Sequence, residues 1–384
     1  MSCDLYIEIG PLQEIHYAGI SNVTLALCRY WLQHPPEQCR FFLGPYLIRR
    51  DVVELVVKTR SGGLFQLLLR NGQAQAGFLE NDLRSRSPAT PSVALFPNVK
   101  SVICPFDHTF QIIHDLSFLL TPEFHHPDTI QYHGTTIRRD IEGNTHNFCV
   151  SKATASDLVT YLGVPQRNVT ICYPGGDPPP DNEEVINKAA IAIASPPFIV
   201  IPGTIEPRKN IDLIFLALKR NPNLMKRYRF LFLGASGWLL DFRNKIAQFT
   251  LTNWVDNGRI MWLGYVDEYQ KSLLYAKAEL AIYPSLFEGF GMPIVEPMSH
   301  GCPVLCSYSS SLPEAGGDAA FYFDPTSIAS FEEALFSTLT AIRLKRQAIR
   351  NMSLQHAKAI TWDQFNTVIK NRIDSIVSSS AGQV

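Results

Sequence analysis

The chain has 384 residues, of which 46% are hydrophobic and 18% are charged, and its 34 Lys and Arg nearly balance its 35 Asp and Glu. This length is too great for one ordinary core and suits two domains. Because the formal net charge is −1, no overall field would draw the protein to nucleic acid or to an anionic bilayer.

The N-terminus and the cysteines favour a cytoplasmic protein. Residues 1–9 lack the basic region and the long apolar region of a signal peptide. No apolar run approaches the roughly 18 residues of a membrane-spanning helix. None of the eight cysteines forms a CxxC pair, which favours reduced core thiols over disulfides or a zinc site. Two basic pairs, Arg49-Arg50 and Arg84 with Arg86, allow peripheral contact with lipid headgroups, although ordinary surface loops are their more typical setting.

The first candidate site residues in chain order are Gly19 and His114. Gly19 precedes a helix predicted over residues 23–30, where a glycine lets the backbone approach a phosphate; a tight turn explains it equally well. His114 directly follows a strand predicted at residues 111–113 and can bind a substrate hydroxyl. A lone histidine at a strand end is nevertheless more often structural.

A proline-rich stretch divides the chain into two halves. Residues 174–180 and 195–197 contain most of it, and prolines fix the backbone and remove hydrogen-bond donors. We therefore predict an N-terminal domain over residues 1–175, a linker over residues 176–196 and a C-terminal domain over residues 197–355.

The C-terminal half alternates between short apolar strands and helices. Asn210 is a candidate N-cap of the first helix, and Asp267 with Gln270 is a candidate capping box of a later one. Apolar strands that alternate with helices indicate a parallel sheet covered on both faces. We expect an α/β protein with two doubly wound Rossmann-like domains, whose ligand occupies the cleft at the carboxyl ends of the strands. The strands are predicted at residues 198–201, 229–233, 259–263, 280–283 and 304–306.

An amphipathic helix follows the C-terminal domain. One face of this helix needs a hydrophobic partner, because apolar residues recur at helical spacing. They are Trp362, Phe365, Ile369, Ile373 and Ile376. We predict the helix over residues 356–377 and a disordered tail over residues 378–384.

The most informative segment is the loop and helix start at residues 284–296. Gly289 and Gly291 let the backbone approach a ligand closely, and a helix N-terminus after them is suited to a diphosphate. Glu288 and Glu296 are carboxylates at different depths that can hold hydroxyls of one long ligand. A tight turn with a solvated glutamate is an equally good explanation of the spacing alone. The dinucleotide fingerprint GxGxxG is incomplete here, because residue 294 is Ile.

A second strand-to-helix loop, residues 203–210, contains two adjacent cations. Arg208 can bind phosphate in a bidentate manner and Lys209 adds a point charge. Basic residues in a loop are usually only solvated. A phosphate-binding role for these two residues is favoured because their loop leaves the same edge of the same predicted sheet as the loop with Glu288.

Together these segments resemble the retaining glycosyltransferases of family 4, which have the GT-B fold. Glu288 and Glu296 match the paired-glutamate motif of that family, and residues 203–210 match its basic donor loop. The segment that begins at His114 and residues 311–320 are similar to those of mannosyltransferase-like members. The resemblance covers nearly the whole chain and implies that the C-terminal helix crosses back to the N-terminal domain.

The resemblance also implies roles for individual residues. Arg208 and Lys209 would neutralise the leaving diphosphate, Glu288 would contact the hydroxyls of the donor sugar, and Glu296 would contact the ribose. The implied catalytic residues are His114, Arg208, Lys209 and Glu288, and the implied donor-binding residues are Gly19, Gly203, Thr204, Phe290, Gly291, Met292 and Glu296. This sequence departs from the family at Thr204, where many relatives have Arg, and at Pro297, where most have a small residue.

The resemblance implies a metal-independent enzyme that needs no cofactor and that retains the anomeric configuration of the sugar. The expected partners are a nucleotide sugar, either GDP-mannose or a UDP-sugar, and a glycan or lipid-linked acceptor of a bacterial surface polysaccharide. Two alternatives remain: a glycoside phosphorylase or other nucleotide-sugar enzyme of this fold, and a non-catalytic assembly partner.

Overall fold

The computed structural model describes residues 3–34, 39–86, 90–103, 105–176, 197–237 and 241–381. The chain divides into two compact units. The N-terminal unit comprises Met1–Leu116, Asp128–Pro174 and Trp362–Val384, and the C-terminal unit comprises Ser117–Pro127 and Gly175–Thr361. The segment Ser117–Pro127 thus groups with the C-terminal unit, whereas the predicted domain of residues 1–175 includes it. The predicted linker, residues 176–196, lies outside the described residues except for Gly176.

The strands are short and mostly apolar, as the composition of the predicted segments indicates. The first eight belong to the N-terminal unit and the remainder to the C-terminal unit. In chain order they are β1 (Asp4–Glu8), β2 (Cys39–Leu43), β3 (Tyr46–Ile48), β4 (Gln75–Phe78), β5 (Ser92–Phe96), β6 (His108–Ile113), β7 (His146–Cys149), β8 (Val169–Ile171), β9 (Phe198–Pro202), β10 (Arg229–Leu233), β11 (Ile260–Trp262), β12 (Leu280–Tyr283), β13 (Val304–Ser307) and β14 (Phe321–Phe323).

Helices connect most of these strands. Short 3-10 helices are formed by Gly10–Gln13, Pro122–Phe124, Gln166–Asn168, Pro207–Lys209 and Gly317–Ala319. The helices in chain order are α1 (Gly19–Gln33), α2 (Arg50–Thr59), α3 (Gly62–Arg70), α4 (Leu79–Ser85), α5 (Ser117–Leu120), α6 (Pro127–Glu142), α7 (Lys152–Leu162), α8 (Ile211–Arg220), α9 (Asn223–Arg227), α10 (Phe242–Gln248), α11 (Thr252–Asp256), α12 (Glu268–Lys277), α13 (Met292–Ser299), α14 (Leu312–Gly316), α15 (Ile328–Ala357) and α16 (Trp362–Ala381).

The sheet of the N-terminal unit has the order β4-β3-β2-β1-β5-β6-β7-β8. Its strands pair in parallel, except that β3 runs antiparallel to both of its neighbours. A turn of only two residues joins β2 to β3, and such a turn is too short for the crossover that a parallel pair needs. The central strands β1 and β5 are buried along their whole length, as expected for a sheet covered on both faces.

The sheet of the C-terminal unit is parallel throughout and has the order β11-β10-β9-β12-β13-β14. The first strand of this unit, β9, lies between β10 and β12, so the direction of strand order reverses beside it. Ligands of open α/β sheets bind where the order reverses in this way. Because β9 and β12 are neighbours, residues 203–210 and 284–291 leave adjacent strands at the same edge of the sheet.

Helix caps agree only in part with the sequence predictions. The predicted capping box is present, because Asp267 accepts from the amide of Gln270 at 2.8 Å and the Gln270 side chain accepts from the amide of Asp267 at 3.3 Å. Asn210 occupies the predicted N-cap position of α8, but its side chain makes no capping hydrogen bond. Asn210 precedes α8 in a left-handed conformation with φ of 53°, and its side chain donates to the Pro325 carbonyl at 3.0 Å instead.

The C-terminal helix α16 packs within the N-terminal unit. Phe365, Ile369 and Ile373 are buried, and Arg372 donates to the Arg167 carbonyl at 3.1 Å. Two predicted boundaries need correction. The helix begins at Trp362 rather than at residue 356, because α15 continues to Ala357 and a turn follows. The predicted tail of residues 378–384 is helical through Ala381, since the backbone ladder of α16 continues, and residues 382–384 lie outside the described residues.

Within the described ranges, no helix combines the length and the apolar composition of a membrane span. The described cysteines are free, and Cys104 lies outside the described residues.

Candidate active site

The edge of the C-terminal sheet brings the two predicted loops into contact. The Leu286 amide donates to the Arg208 carbonyl at 2.9 Å, which joins the loop after β12 to the loop after β9. The side chains of Arg208, Lys209 and Glu288 meet across this junction. The structure therefore assembles three of the four predicted catalytic residues in one unit.

The Glu288 carboxylate is the centre of this cluster. Its Oε1 accepts from Lys209 Nζ at 2.6 Å, from the Tyr283 hydroxyl at 2.7 Å and from the Ser285 hydroxyl at 2.6 Å. Its Oε2 lies 2.9 Å from an Arg208 nitrogen. Burial by itself raises the pKa of Glu288, but Arg208 and Lys209 outweigh burial and hold this pKa at about 2. The group is therefore an ionised acceptor at any physiological pH.

Arg208 joins both loops. One of its terminal nitrogens donates to the Phe287 carbonyl at 2.6 Å, and the other donates to Glu206 at 2.8 Å. The guanidinium also contacts Glu288, so it lies between two buried carboxylates. Its planar fork of donors can bind several acceptors at once. Two acids, Glu206 and Glu288, and two cations, Arg208 and Lys209, then balance in formal charge.

Lys209 has donor capacity beyond these contacts. Its ammonium group donates to the Tyr283 hydroxyl at 2.7 Å and to Glu288, and Glu206 lies 3.9 Å away, beyond hydrogen-bonding distance. An ammonium group has three donors, so no acceptor among the described residues takes the third. A buried cation with a remaining donor is suited to an anionic ligand.

Gly203 and Thr204 form the backbone beside Lys209. Gly203 has φ of 124°, and a Cβ there would lie 3.6 Å from Lys209 Cδ and 3.5 Å from the Tyr283 ring. Its conformation is one that glycine adopts readily. Thr204 lies against Gly237, where a Cβ would come within 2.9 Å of the Thr204 methyl group.

The loop with Glu288 leads into helix α13 at three predicted donor-binding residues. Phe290 is buried, Gly291 is the N-cap with φ of 112°, and Met292 is the first helical residue. Pro293 therefore occupies the second helical position. This position suits proline, because a backbone N–H there would have no acceptor within the helix and proline has no N–H. The arrangement presents amides of a helix N-terminus near the Glu288 cluster.

Glu296 has a separate set of partners on the neighbouring helix α12. Lys271 lies 3.0 Å from its carboxylate, and the Tyr275 hydroxyl donates to it at 3.4 Å. Lys271 also pairs with Glu268 at 2.9 Å. Burial lowers the pKa of Lys271, but Glu296 and Glu268 outweigh burial and raise it above its ordinary value. Contacts from another helix thus hold Glu296, which directly precedes Pro297.

Several members of these clusters were missed in the sequence analysis. Glu206 lies within the basic loop, and Tyr283 ends the strand before the glutamate loop, so their positions in the chain offered a weak signal. Lys271 and Tyr275 offered none, because the residue pattern of α12 does not show which helix it packs against.

His114 and Gly19 belong to the N-terminal unit. His114 Nε2 lies 2.7 Å from the Pro97 carbonyl, so this nitrogen carries the proton. Burial lowers the pKa of His114, which makes the ring neutral at pH 7 with Nδ1 as an acceptor. Gly19 is the first residue of α1, and a Cβ at this position would meet no atom of the described residues within 4 Å. The packing of the protein itself therefore does not demand a glycine there.

The two basic pairs considered for lipid contact are paired with carboxylates of the same unit. Arg49 contacts Asp51 at 2.5 Å, Arg50 contacts Glu54 at 3.2 Å, and Arg86 contacts Asp4 at 2.6 Å. Arg84 pairs with Glu80. These local charges are therefore compensated.

Comparison with known proteins agrees with this architecture. Residues 183–353 match the family model described as glycosyl transferases group 1. The O-antigen chain mannosyltransferase B of Escherichia coli is 31% identical over 261 residues, which cover 66% of this chain and 67% of that protein.

Solved structures show the same fold at low sequence identity. The sucrose-phosphate synthase of Thermosynechococcus elongatus has a TM-score of 0.67 at 14% identity, with 98% of this chain and 100% of that chain covered. HepE of Anabaena in complex with UDP-glucose has a TM-score of 0.66 at 14% identity, with 97% of this chain and 99% of that chain covered. These similarities confirm the predicted GT-B fold. With the family match and the curated relative, they show that the chain belongs to the group 1 glycosyl transferases.

Proposed function

We propose that the protein is a retaining mannosyltransferase that transfers mannose from GDP-mannose to a glycan or lipid-linked acceptor during assembly of a bacterial surface polysaccharide. The observation that carries this proposal is the buried cluster of Arg208, Lys209 and Glu288 at the carboxyl ends of β9 and β12. Similarity to an O-antigen chain mannosyltransferase supports the choice of sugar and of pathway.

Lys209 would stabilise the leaving diphosphate. When the anomeric bond of the donor breaks, positive charge develops on the sugar and negative charge on the diphosphate. The remaining donor of Lys209 and the Met292 amide at the start of α13 would meet this negative charge. The next two residues offer no donor, because Pro293 has no N–H and the Ile294 amide donates to the Gly291 carbonyl at 2.9 Å. Each well-placed donor is worth on the order of 3 kcal/mol, or about a hundredfold in rate.

Glu288 would bind hydroxyl groups of the donor sugar. An ionised carboxylate can only accept, so it selects ligands that donate, and sugar hydroxyls do so. The low pKa of Glu288 keeps it in this form. Arg208 would mainly hold both loops in place through its contacts with Phe287 and Glu206. It would contribute less to neutralising the diphosphate than the family resemblance implies.

The proposed reaction needs no divalent cation, because Lys209 and the start of α13 supply positive potential at the diphosphate. It also needs no enzyme nucleophile, since the acceptor would attack the face from which the diphosphate leaves. We further propose that the enzyme acts in the cytoplasm, with peripheral contact at the inner face of the membrane, where lipid-linked acceptors are found.

Thermal unfolding with GDP-, UDP-, ADP- and dTDP-sugars, each with and without EDTA, tests the proposal. A ligand at about 100 times its dissociation constant adds roughly 2.7 kcal/mol to the stability of the state that binds it. Stabilisation by GDP-mannose that EDTA does not change is the expected result. Stabilisation by uridine nucleotides alone would refute the GDP-mannose assignment, and no shift with any donor would refute the transferase proposal.

A further inference from the structure

Ser307 ends strand β13, and it and the three serines at positions 309–311 face the loop that carries Glu288. Ser307, Ser309, Ser310 and Ser311 each direct a hydroxyl group to a backbone carbonyl of that loop. The acceptors are only two, the carbonyl oxygens of Ser285 and Glu288. These four serines are here named the serine clamp.

The serine clamp uses the full capacity of both carbonyls. Ser307 and Ser309 donate to the Ser285 carbonyl, the latter at 3.1 Å. Ser310 and Ser311 donate to the Glu288 carbonyl at 2.6 and 2.8 Å. A carbonyl oxygen has two lone pairs, so each of these is doubly bound.

We propose that the serine clamp positions the backbone of Glu288 for catalysis, an inference that rests on the proposed transferase function. The clamp holds both ends of the segment from Ser285 to Glu288, whose side chains are themselves hydrogen-bonded at 2.6 Å. It thereby sets where the carboxylate stands relative to Lys209.

The orientation of one peptide plane follows from the same contacts. A trans peptide is planar, so its N–H points opposite to its C=O. Two hydroxyls fix the Glu288 carbonyl toward the clamp, and the amide of Gly289 is therefore aimed away from it. The clamp controls the direction of the first glycine amide of the loop as well as the position of the carboxylate.

Ser310 carries a conformational cost that its packing does not explain. It is exposed, it is not a glycine, and its φ of 49° lies in the left-handed region. Such a conformation costs free energy that surrounding structure must offset, and it recurs at functional sites. Glycine would relieve this cost but would remove the hydroxyl. The residue type at this position is therefore explained by the hydrogen bond to the Glu288 carbonyl and not by the backbone conformation of the turn.

Ser310→Gly separates the effect of the hydroxyl group on catalysis from its effect on stability. The variant removes one hydroxyl and relaxes the backbone, so the melting temperature should stay the same or rise. We expect kcat for hydrolysis of GDP-mannose, in which water takes the mannosyl group and GDP leaves, to fall about tenfold. KM should stay within about twofold, because donors that orient transition-state groups act on kcat. Ser310→Asn, which tolerates the left-handed region and carries a side-chain donor, should recover part of the loss. Ser337→Ala, at an exposed serine of α15, is the matched control and should change neither quantity.

Three outcomes would overturn the inference. Wild-type kcat in Ser310→Gly would show that the hydroxyl has no catalytic effect. A fall in kcat matched by a fall in melting temperature would assign the serine a purely structural role. If the wild-type enzyme itself releases no GDP from GDP-mannose, the proposed function fails and the role of the clamp fails with it, whereas the first two outcomes leave the transferase proposal intact.

Discussion

Lys209 Nζ lies 2.6 Å from Glu288 Oε1, although 79 positions separate the two residues in the chain. The pair links the loops that follow the neighbouring strands β9 and β12. Both groups are largely buried, so each compensates the cost of burying the other. Removal of one partner leaves an uncompensated charge, which makes this pair the most sensitive point of the site.

Lys209→Ala and Glu288→Ala should each lower turnover by at least tenfold while the fold survives. Removal of Lys209 takes away the cation proposed to meet the leaving diphosphate, and removal of Glu288 takes away the proposed acceptor for sugar hydroxyls. Each variant should also melt at a lower temperature, because one buried charge loses its partner. Steady-state kinetics and circular dichroism measure both effects. Lys277→Ala, at an exposed lysine of α12, is the control, and wild-type activity in either site variant would contradict the assignment.

Tyr283→Phe should lower kcat several-fold with little change of fold. Its hydroxyl accepts from Lys209 and donates to Glu288, both at 2.7 Å, and phenylalanine keeps the ring but neither contact. A lost hydrogen bond at a buried charged group costs about 1–3 kcal/mol. Kinetics with GDP-mannose over a range of concentrations would show the loss, and an unchanged kcat would mean that the hydroxyl does not help to place Lys209.

Lys271 and Glu296 should be energetically coupled. Their side chains are only 16% and 15% exposed, so we expect Lys271→Met and Glu296→Gln to cost about 2 kcal/mol each and the double variant to cost clearly less than the sum. Urea unfolding of the four proteins gives the coupling. The more exposed pair Lys370 and Asp374 is the matched control and should couple by about 0.5 kcal/mol. If the two losses in free energy of unfolding simply add, Lys271 does not position Glu296.

Gly19→Ala should lower activity without loss of stability. Among the described residues, no atom lies within 4 Å of a Cβ built at Gly19, and alanine is the better helix residue. Stability should therefore stay equal or rise by up to about 1 kcal/mol. The family resemblance implies close approach of this residue to the donor diphosphate, and a methyl group would then interfere. Gly63→Ala in α3, a position equally open, should change neither stability nor activity. Full activity in Gly19→Ala would argue against close approach of the donor.

Acid should destabilise the wild-type protein more than Glu288→Gln. The pKa of Glu288 is lowered from 4.5 to about 2 in the folded protein, chiefly because Arg208 and Lys209 outweigh the opposing effect of burial. A lowered pKa contributes stability that is present above pH 4.5 and is lost as pH falls toward 2. Melting temperatures measured between pH 6 and pH 2.5 should therefore fall more steeply for the wild type. Parallel curves would contradict the ionised state assigned to Glu288.

Much of the fold could be predicted from the sequence, because the relevant signals are local. Short apolar runs between helical segments indicated the strands of the C-terminal unit, and the spacing of Phe365, Ile369 and Ile373 indicated one buried helix face. The loops with Lys209 and Glu288 were recognisable from residue type and spacing. Local signals failed where side chains had other partners, as at Asn210, and where small polar residues continue a helix to Ala381.

Only the tertiary structure decided which residues meet. The sequence alone determined that there would be two α/β units and that the C-terminal one would carry the loops with Lys209 and Glu288. It did not determine that β9 would lie beside β12, or that Lys271 would pair with Glu296. The serine clamp, likewise, depends on the loop after β13 returning to the Glu288 carbonyl. The physical reason is that strand order and helix packing result from burial summed over a whole unit, whereas sequence periodicity reports only which face of each element is buried.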